Sequence, residues 1–451
     1  MASMPQQIED YVRGLGLDAY VVGGTVRDEL LGIESKEADF LVLGVDHEGL
    51  RVLLEPHGRV EDLEVAGQRV GLRLRPRDRA IRELAPAGIE FAPPRRELST
   101  GPGRHDFEIV VDPSGSVKDD LERRDFTVNA MARRLSDGEL VDPFDGELDL
   151  EDRVLRTVSP RSLSEDPLRT LRGLRLVSQF DLAPDDETSR QLVEEGANVR
   201  LVSAERIGGG LQADGMGELS KLLLGSRPAK ALRLARDTGV LVAIIPEFAP
   251  VIGFDMQSAR QGKPLDEHIF AVVQHAPKRL AVRLGALLHD LGKPHTRVEE
   301  HAAEGARLAD AVLERLRYPT RLRRYVVDLV RAHAFWLDDV DGLFARRFLR
   351  DHGEALAHDL VDHKEADLRA KDVGEHELEA VVRLRALLEA EASNPHRLSD
   401  LAVDGSDLLE LGYREGPKLG GVLSGLLDEV VVDPSRNRRD WLLERAKERL
   451  A

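Results

Sequence analysis

The chain of 451 residues contains no cysteine. This absence excludes disulfide bonds, thiolate metal ligands and cysteine nucleophiles, and it is consistent with a reducing compartment. The sequence also lacks an N-terminal apolar stretch of signal-peptide length, and it has no run of about 18 uncharged apolar residues that could span a membrane. We therefore expect a cytoplasmic protein without membrane contact.

A net positive charge is also lacking, because 64 Lys and Arg residues face 82 Asp and Glu residues, which gives −18. Nucleic acid phosphates are bound by Lys and Arg, so this average charge argues mildly against such a partner. Local clusters of Lys and Arg occur nevertheless, in "RLRYPTRLRR" and in "RPAKALRLAR". A transiently bound RNA needs a positive stripe on the surface rather than a basic protein.

The pattern of apolar residues changes along the chain. In residues 1–150, "AYVVGG", "ADFLVLG", "RVGLRLRP" and "FEIVVDP" predict strands closed by Gly or Pro, and "TVRDELLG" predicts a short helix. From residue 151 onward, apolar residues recur with helical spacing to the end of the chain. The sequence therefore predicts an α+β fold, with a small mixed α/β head followed by a long helical remainder.

Two acids, Glu37 and Asp39, stand one residue apart in the second predicted strand. Alternation places both side chains on one face of that strand, with Ala38 and Phe40 on the other. Two like charges repel each other, and a divalent cation between them removes the repulsion. Carboxylates that hold Mg²⁺ can position a nucleoside triphosphate and lower the pKa of an attacking hydroxyl. The alternative is a strand edge that carries solvated acids.

The residues upstream of the acid pair favour phosphate binding. Gly23 and Gly24 follow the first strand directly, and Arg27 lies three residues further on. Adjacent glycines allow the backbone to approach a phosphate closely, and an arginine can clamp its oxygens. The glycine pair and Arg27 therefore suit the approach of a phosphate group.

This order of motifs resembles the class II tRNA nucleotidyltransferase and bacterial poly(A) polymerase superfamily. "IEFAPPRRE" resembles its third-carboxylate strand, "LERRDFTVNAMA" its RRDxTxNA motif, and "EDPLRTLRGLRL" its Glu-Asp-x-x-Arg motif. These three motifs nominate Glu90, Arg124, Asp125, Asn129, Asp166, Arg169 and Arg172. The family usually has Asp-x-Asp, whereas this chain has Glu37-x-Asp39. Glutamate is one methylene longer but remains a hard oxygen ligand.

The resemblance implies template-independent nucleotide addition, in which an RNA 3′-hydroxyl attacks the α-phosphate of CTP or ATP and pyrophosphate leaves. Glu37 and Asp39 would hold Mg²⁺, and Glu90 would support the hydroxyl side. Asp166 and Arg169 would read the incoming base, since a carboxylate accepts from an exocyclic amine and a guanidinium donates to ring acceptors. The alternative for Asp166 and Arg169 is an i, i+3 ion pair on a helix.

A second metal site is indicated by "LGALLHDLGKPHT", where His289 and Asp290 stand together. The motif resembles the HD phosphohydrolase superfamily, whose ligands follow the order H…HD…D. The further candidate ligands are His268, His301, His333 and Asp367. Imidazole ligands favour a divalent transition metal over Mg²⁺. The alternative is a His-Asp pair that caps a helix without a metal.

The resemblance also suggests how the chain divides. We expect a nucleotidyltransferase head over 1–150, a helical neck and body for RNA and base binding over 151–260, an HD-type helical domain over 261–375 and a helical tail over 376–451. The expected activity is CCA addition to the tRNA 3′ end with CTP and ATP, with an additional phosphohydrolase activity in the HD domain. A CC-only or A-only enzyme, a poly(A) polymerase, and an HD phosphohydrolase with a degenerate RNA-binding head are alternatives. The chain lacks a basic tail, which favours tRNA.

Overall fold

Short apolar segments ended by Gly or Pro form the strands, as the alternation predicts. The strands are β1 (Ala19–Val22), β2 (Asp39–Val42), β3 (Gly58–Val65), β4 (Gln68–Pro76), β5 (Ile89–Ala92), β6 (Arg95–Ser99), β7 (Phe107–Val111), β8 (Ala132–Arg134), β9 (Leu140–Val141), β10 (Val154–Leu155) and β11 (Ala183–Pro184). They belong to a computed structural model that describes residues 4–34, 38–65, 68–99, 107–209, 216–255, 262–296, 300–371 and 375–450.

Seven of the strands form one mixed sheet in the order β3-β4-β5-β2-β1-β8-β9. β2 and β5 run parallel, and the other neighbours in this sheet are antiparallel. The predicted strand "FEIVVDP" forms, but as β7 it pairs with β6 in a separate two-stranded sheet. β3 was not predicted, because "GRVEDLEV" carries too many charged residues to display an apolar pattern.

The described residues divide into two compact units, Met1–Pro246 and Glu247–Ala451. The first contains the strands and the helices α1 (Gln6–Arg13), α2 (Gly24–Leu30), α3 (His47–Leu54), α4 (Arg79–Leu84), α5 (Val117–Glu122), α6 (Gly146–Glu151), α7 (Ser162–Glu165), α8 (Leu168–Phe180), α9 (Asp186–Glu195), α10 (Ala204–Ile207), α11 (Glu218–Leu223), α12 (Pro228–Asp237) and α13 (Val240–Ile244). The small head and the helical segment after it match the predicted order.

The regular secondary structure of the second unit is entirely helical among the residues that the structure describes. Its helices are α14 (Leu265–His275), α15 (Leu280–Leu288), α16 (His301–Arg315), α17 (Thr320–Ala332), α18 (Gly342–His352), α19 (Glu354–Ala370), α20 (Glu375–Glu391), α21 (Gly405–Glu410), α22 (Pro417–Val432) and α23 (Arg439–Leu450).

Short 3₁₀ helices lie at Glu55–His57, Thr127–Asn129, Gly196–Leu201, Pro246–Val251, Leu398–Asp400 and Pro434–Arg436. The predicted α+β architecture is confirmed.

Burial of alternate residues orients the strands of the head. Phe40 of β2 and Phe91 of β5 are buried in one core, where their rings stack with centroids 5.5 Å apart. Full burial of one such side chain contributes roughly 1.5–3 kcal/mol. Because successive side chains of a strand point to opposite faces, Asp39 and Glu90 lie on the face away from this core.

Four helices of the second unit pack around α15, a segment that is apolar on most sides. α14 packs against α19, α15 packs against α17 and α19, and α16 lies along α17. The last three helices gather around a core of their own, which includes Leu408, Leu426 and Leu442. Among the residues that the structure describes, no helix combines the length and apolarity needed to cross a bilayer.

Candidate active site and metal centre

The carboxylates predicted for the head lie on neighbouring strands. Asp39 of β2 is the register partner of Glu90 on the parallel strand β5. Register partners point to the same face of a sheet, so these two side chains are neighbours. Ala38 and Phe40 are buried on the opposite side of β2, as the alternation predicts. Glu37 lies outside the described residues.

An arginine that was not predicted accompanies Glu90. Arg73 of β4 is the register partner of Glu90 on its other side, and its Nε donates to Glu90 Oε1 at 3.1 Å. The Nη2 atom of the same guanidinium also bonds to this oxygen. Strand alternation in "RLRP" predicts that the Arg73 side chain points away from the core. That it contacts Glu90 follows only from the strand register.

The glycine turn between β1 and α2 is occupied by a guanidinium. Gly23 has a φ of 72°, and a Cβ at this position would lie 2.2 Å from Arg124 Nη1. Arg124 Nη1 donates to the carbonyl of Asn129 at 3.3 Å, and its Nη2 donates to Asp120 Oδ2 at 3.1 Å. A side chain at Gly23 is therefore excluded both by backbone conformation and by the close approach of Arg124.

A chain of buried polar contacts connects the neck helix α8 with the glycine turn. Arg172 Nε lies 2.8 Å from Asp125 Oδ2, and Asn129 Nδ2 donates to Asp125 Oδ1 at 3.1 Å. Arg27 Nη1 in turn donates to Asn129 Oδ1 at 2.5 Å. Four of the predicted nucleotide-binding residues thus form one network, which fixes Arg27 beside the turn.

Asp125 is ionised at the centre of this network. Its side chain is buried, and burial alone raises the pKa of a carboxyl. The charge of Arg172 and the hydrogen bond from Asn129 outweigh burial and lower the pKa of Asp125 to about 2. Asp125 therefore acts as a buried anion that positions the arginine and amide groups around it.

Phe180 is a contact that sequence analysis missed. The guanidinium carbon of Arg27 lies 4.4 Å from the centroid of the Phe180 ring, which is a cation–π geometry. Asp28 also accepts from Arg27 Nε and Nη2, at 3.0 and 2.6 Å. Phe180 follows Arg172 by eight residues on α8, and this spacing puts both side chains on one helix face.

Asp166 and Arg169 do not pair with each other. Asp166 lies between α7 and α8, and its Oδ1 accepts from the backbone amide of Leu168 at 3.0 Å. Arg169 donates to the backbone carbonyls of Ser162 and Arg123, at 3.0 and 2.7 Å. The simple i, i+3 ion pair therefore does not describe these two residues. Arg169 instead holds the start of α8 against the segment that carries Arg124 and Asp125.

The second unit brings together every histidine and acid that the sequence nominated there. His268 Nε2 lies 3.1 Å from Asp367 Oδ1, and His289 Nε2 lies 3.0 Å from Asp290 Oδ2. His301 Nε2 lies 3.6 Å from Asp290 Oδ1. These side chains are at most 8% exposed and come from four separate segments. The contacts join residues almost a hundred positions apart.

Two further histidines complete this group. His333 Nε2 lies 3.2 Å from His301 Nε2 and 3.6 Å from Asp290 Oδ1. His363 was not predicted, and its ring centroid lies 4.9 Å from that of His289 and 5.6 Å from that of His333. His363 stands one helical turn before Asp367 on α19, and this spacing could have revealed it. The histidine cluster comprises His268, His289, Asp290, His301, His333, His363 and Asp367.

The tautomers of two cluster histidines suit metal binding. His289 Nδ1 lies 2.8 Å from the carbonyl of Ala286, and His333 Nδ1 lies 2.6 Å from the carbonyl of Val330. A carbonyl only accepts, so each Nδ1 carries the proton when its ring is neutral, and each Nε2 presents a lone pair to the cluster. Burial lowers the pKa of His289 to about 4, which keeps its ring neutral.

Several buried polar atoms of the cluster lack a hydrogen-bond partner among the described residues. They include His268 Nδ1, Asp290 Oδ1 and both ring nitrogens of His363. Lys293 and Lys371 approach the other oxygens of Asp290 and Asp367, each at 2.6 Å. Buried polar atoms without partners are costly. The donor set of imidazole nitrogens and carboxylate oxygens fits a divalent transition metal, and it fits Mg²⁺ poorly.

Family models match three consecutive parts of the chain. The poly A polymerase head domain matches residues 19–156, and the probable RNA and SrmB-binding site of polymerase A matches 181–252. The HD domain matches 265–373, which contains the whole histidine cluster. The glycine turn, Asp39 and Glu90 all lie within the head-domain match.

Curated relatives match most of the chain. The multifunctional CCA protein of Alkalilimnicola ehrlichii is 36% identical over 334 residues, which cover 70% of this chain and 74% of that protein. The multifunctional CCA protein of Ralstonia nicotianae is 33% identical over 337 residues, which cover 70% and 72%. The chain belongs to the multifunctional CCA protein family. It is a nucleotidyltransferase, and enzymes of this kind generally depend on a divalent metal.

Solved structures show that the fold is shared by enzymes of the same kind. The Bacillus stearothermophilus CCA-adding enzyme in complex with CTP superposes with a TM-score of 0.70 at 22% identity, over 99% of this chain and 98% of that one. The Thermotoga maritima CCA-adding enzyme complexed with tRNA_CCA gives a TM-score of 0.59 at 20% identity, over 99% and 94%. The likeness therefore concerns the fold, and it covers 99% of this chain.

Proposed function

We propose that this protein adds C and A nucleotides to the 3′ end of tRNA, using CTP and ATP and no nucleic acid template. Relatives named multifunctional CCA protein, at up to 36% identity, support this activity. The observation that carries it is the register pairing of Asp39 with Glu90 in the nucleotidyltransferase head, since this puts two carboxylates on one open face. The names of the relatives favour tRNA over the poly(A) polymerase alternative.

Asp39, together with Glu37, is proposed to bind Mg²⁺ in the head. Oxygen ligands on one face of a sheet suit this hard cation. Bound Mg²⁺ supplies charge neutralisation of the triphosphate and lowers the pKa of the attacking hydroxyl. Glu90 lies beside Asp39 and is proposed to orient the RNA 3′-hydroxyl, with Arg73 holding the Glu90 carboxylate in place.

The arginines around the glycine turn are proposed to hold the triphosphate. Arg124 lies against Gly23, and Arg27 is fixed by Asn129, Asp28 and Phe180. Guanidinium groups bind phosphate oxygens through two parallel hydrogen bonds, and a prepositioned guanidinium loses little side-chain entropy when it does so. The ionised Asp125 keeps this positive region in one arrangement before the nucleotide arrives.

Base selection is proposed for the start of α8. Asp166 can accept from an exocyclic amine of cytosine or adenine, and Arg169 and Arg172 can donate to ring acceptors. Arg169 already donates to two carbonyl oxygens, so its proposed role includes holding this end of the helix in place. Uracil lacks the exocyclic amine, so UTP is expected to be a poor substrate.

The test is nucleotide addition to three tRNAs, which end before the first C, after one C and after both. Each labelled nucleoside triphosphate is supplied singly with Mg²⁺. The proposal predicts that CTP extends the first two tRNAs and ATP extends only the third, by one residue. Long adenylate tails on all three would indicate a poly(A) polymerase, and failure of either CTP or ATP would indicate an A-only or CC-only enzyme.

A second activity is proposed for the histidine cluster, namely metal-dependent hydrolysis of phosphate esters. Two groups of buried side chains support it, His268 with His289 and Asp367, and His289 with Asp290 and His333, because the possible ligand atoms of each group lie within 4.8 Å of one another. The measurement is release of phosphate from monoesters and opening of a 2′,3′-cyclic RNA end, with Mn²⁺, Co²⁺ or Ni²⁺. If none of these ions supports hydrolysis, the role of the cluster is structural. The cytoplasmic location stays a prediction.

A further inference from the structure

A groove of about 500 Å³ lies between α16 and α17, the two helices that pack along each other in the second unit. Four arginines line it, Arg307, Arg323, Arg324 and Arg331, against two aspartates. The remaining lining residues are two alanines and a valine. The groove is therefore a polar surface with an excess of positive charge, and its volume is in the range of ligand sites.

This groove faces away from the histidine cluster. Asp310 lines the groove, and His301, which belongs to the cluster, stands nine residues earlier on α16. Nine residues are about two and a half helical turns, so the two side chains lie on opposite faces of the helix. Arg324 and His333 have the same spacing on α17 and its C-terminal cap. The groove is therefore a surface separate from the cluster.

The groove contains part of the arginine-rich segment "RLRYPTRLRR". Residues 301–333 carry seven arginines against four acids, whereas the whole chain has a net charge of −18. Arg324 is exposed and makes no hydrogen bond or ion pair with the described residues. The Arg331 side chain is 60% exposed, and its Nη1 donates to Asp328 Oδ1 at 3.1 Å. These two guanidinium groups keep donors available to a ligand, and guanidinium donors match phosphate oxygens.

The arginines of α17 form a row along the helix rather than a single pocket. Arg321, Arg324, Asp328 and Arg331 follow one another at helical spacing, so they share one face, and all four are exposed. The row is about 15 Å long. A small anion is best held by donors that converge on one point, whereas a row of donors meets successive phosphates of a nucleic acid strand. The arrangement therefore favours a polyanion.

We propose that the groove between α16 and α17 binds the phosphate backbone of tRNA, with Arg324 and Arg331 as its principal contacts. This inference rests on tRNA as the proposed substrate. The match to the probable RNA and SrmB-binding site of polymerase A ends at residue 252, so the groove lies outside it. Contacts to phosphate add affinity without reading sequence, which suits an enzyme that must accept many tRNAs.

The experiment compares the full chain with the double variant Arg324→Ala, Arg331→Ala. Binding of labelled tRNA is measured at salt concentrations from about 50 to about 200 mM, and nucleotide addition gives kcat and the KM for tRNA and for CTP. We expect Kd and KM for tRNA to rise about tenfold, and the slope of log K against log salt to fall by about two. The kcat and the KM for CTP should not change, because the head is untouched.

The matched control is the double variant Arg347→Ala, Arg383→Ala. Both side chains are exposed on other helices of the second unit, α18 and α20, and neither makes a hydrogen bond or ion pair with the part of the chain that the structure describes. This control loses the same charge and should bind tRNA like the parent. An equal loss in both double variants would reduce the effect to net charge and overturn the inference.

A gain in affinity is expected for Asp328→Asn, which removes a negative charge from the groove and releases Arg331. Binding of tRNA should become about two- to fivefold tighter, and a misfolded chain could not produce this result. If the arginine variant fails to fold, Asp328→Asn decides alone, and unchanged affinity would overturn the inference.

The remaining outcomes separate this inference from the proposed function. Parental Kd and salt slope in the arginine double variant would overturn the groove and leave tRNA as the substrate. A higher KM for CTP with unchanged Kd for tRNA would assign the groove to a free nucleotide, which also overturns the inference. A parent chain that neither binds nor extends tRNA would overturn the proposed function itself.

Discussion

The two candidate sites use opposite arrangements of charge. In the head, carboxylates are paired with guanidinium groups, as in Asp125 with Arg172 and Glu90 with Arg73. In the histidine cluster, Asp290 faces four imidazoles and Asp367 faces one, each with a lysine beside it, and burial keeps the pKa of His289 at about 4. The first set of residues presents fixed positive charge, and the second presents neutral lone pairs together with negative charge.

This difference follows from the ligands that each site is proposed to take. A nucleoside triphosphate is an anion, and prepositioned arginines lower the cost of bringing its charges together. A transition-metal ion is a cation that prefers neutral imidazole nitrogens with a few carboxylates. Because the sites lie in separate units with separate ligands, changes in one should leave the chemistry of the other intact.

The largest effect is expected for Asp39→Asn in the head. An amide cannot replace an anionic metal ligand, so nucleotide addition should fall by on the order of 1000-fold or more. Transfer of labelled CTP and ATP to tRNA measures the loss. Asp18→Asn is the matched control, since Asp18 is exposed just before β1 and its side chain makes no hydrogen bond or ion pair with the described residues. Equal rates for Asp39→Asn and Asp18→Asn would refute the assignment of this site.

Asp125→Asn should destabilise the first unit and also slow addition. The change removes the buried anion that pairs with Arg172, whose side chain is 39% exposed, so we expect a loss of about 1–3 kcal/mol. Denaturant unfolding followed by circular dichroism measures the free energy of unfolding. A variant as stable as the parent would show that the Arg172–Asp125–Asn129–Arg27 network contributes little.

The stability difference between parent and Asp125→Asn should depend on pH. The pKa of Asp125 is lowered to about 2 in the folded protein, so its ionised form stabilises the fold above its unfolded pKa of about 3.9. The corresponding stabilisation is about 2 kcal/mol and is lost as the pH falls from about 5 to about 2. Unfolding measured at several pH values should show the two proteins converging in acid, and a constant difference would contradict the assigned charge.

Arg169→Ala should weaken base selection as well as rate. Removal of its donors is expected to cost about 1–3 kcal/mol of discrimination, so UTP and GTP incorporation should rise relative to CTP and ATP. Arg161→Ala is the matched control, because that side chain is 83% exposed and, within the described part of the chain, makes only a 3.9 Å ion pair with Glu165. If Arg169→Ala slows turnover with unchanged base preference, its role is restricted to bonding the carbonyls of Ser162 and Arg123.

The smallest effect is expected for Glu37→Asp, which restores the family's usual residue. Both side chains offer hard oxygen ligands, so activity should stay within about tenfold of the parent. Rates measured over a range of Mg²⁺ and Mn²⁺ concentrations would reveal any change in metal preference. A loss as large as that of Asp39→Asn would mean that the longer side chain is required by this head.

The features of both sites that lie within short contiguous segments were predictable from the sequence. β1, β2 and β5 follow from apolar runs ended by Gly or Pro, and the motifs around Arg124 and His289 lie within short contiguous segments. Such features depend on neighbours along the chain, which is the information that alternation and helical spacing provide. Asp39 and Glu90 are accordingly register partners, and the nominated histidines and acids of the second unit lie close together.

The missed residues depend on contacts between distant segments. Arg73 meets Glu90 because of the strand register, and Phe180 meets Arg27 through packing of α8 beside the glycine turn. His363 joins the cluster because α19 packs against α14 and α15. Strand register and helix packing depend on the whole core, and a single sequence gives no direct measure of either.

The most direct test of the account is a double dissociation between the two sites. Asp39→Asn and the double variant His289→Ala with Asp290→Ala are each assayed for nucleotide transfer to tRNA and for phosphate-ester hydrolysis with Mn²⁺, Co²⁺ or Ni²⁺. The account predicts that the first variant loses transfer and keeps hydrolysis, and that the second loses hydrolysis and keeps transfer. Loss of transfer in a histidine-cluster variant that still unfolds cooperatively at the parental temperature would contradict it.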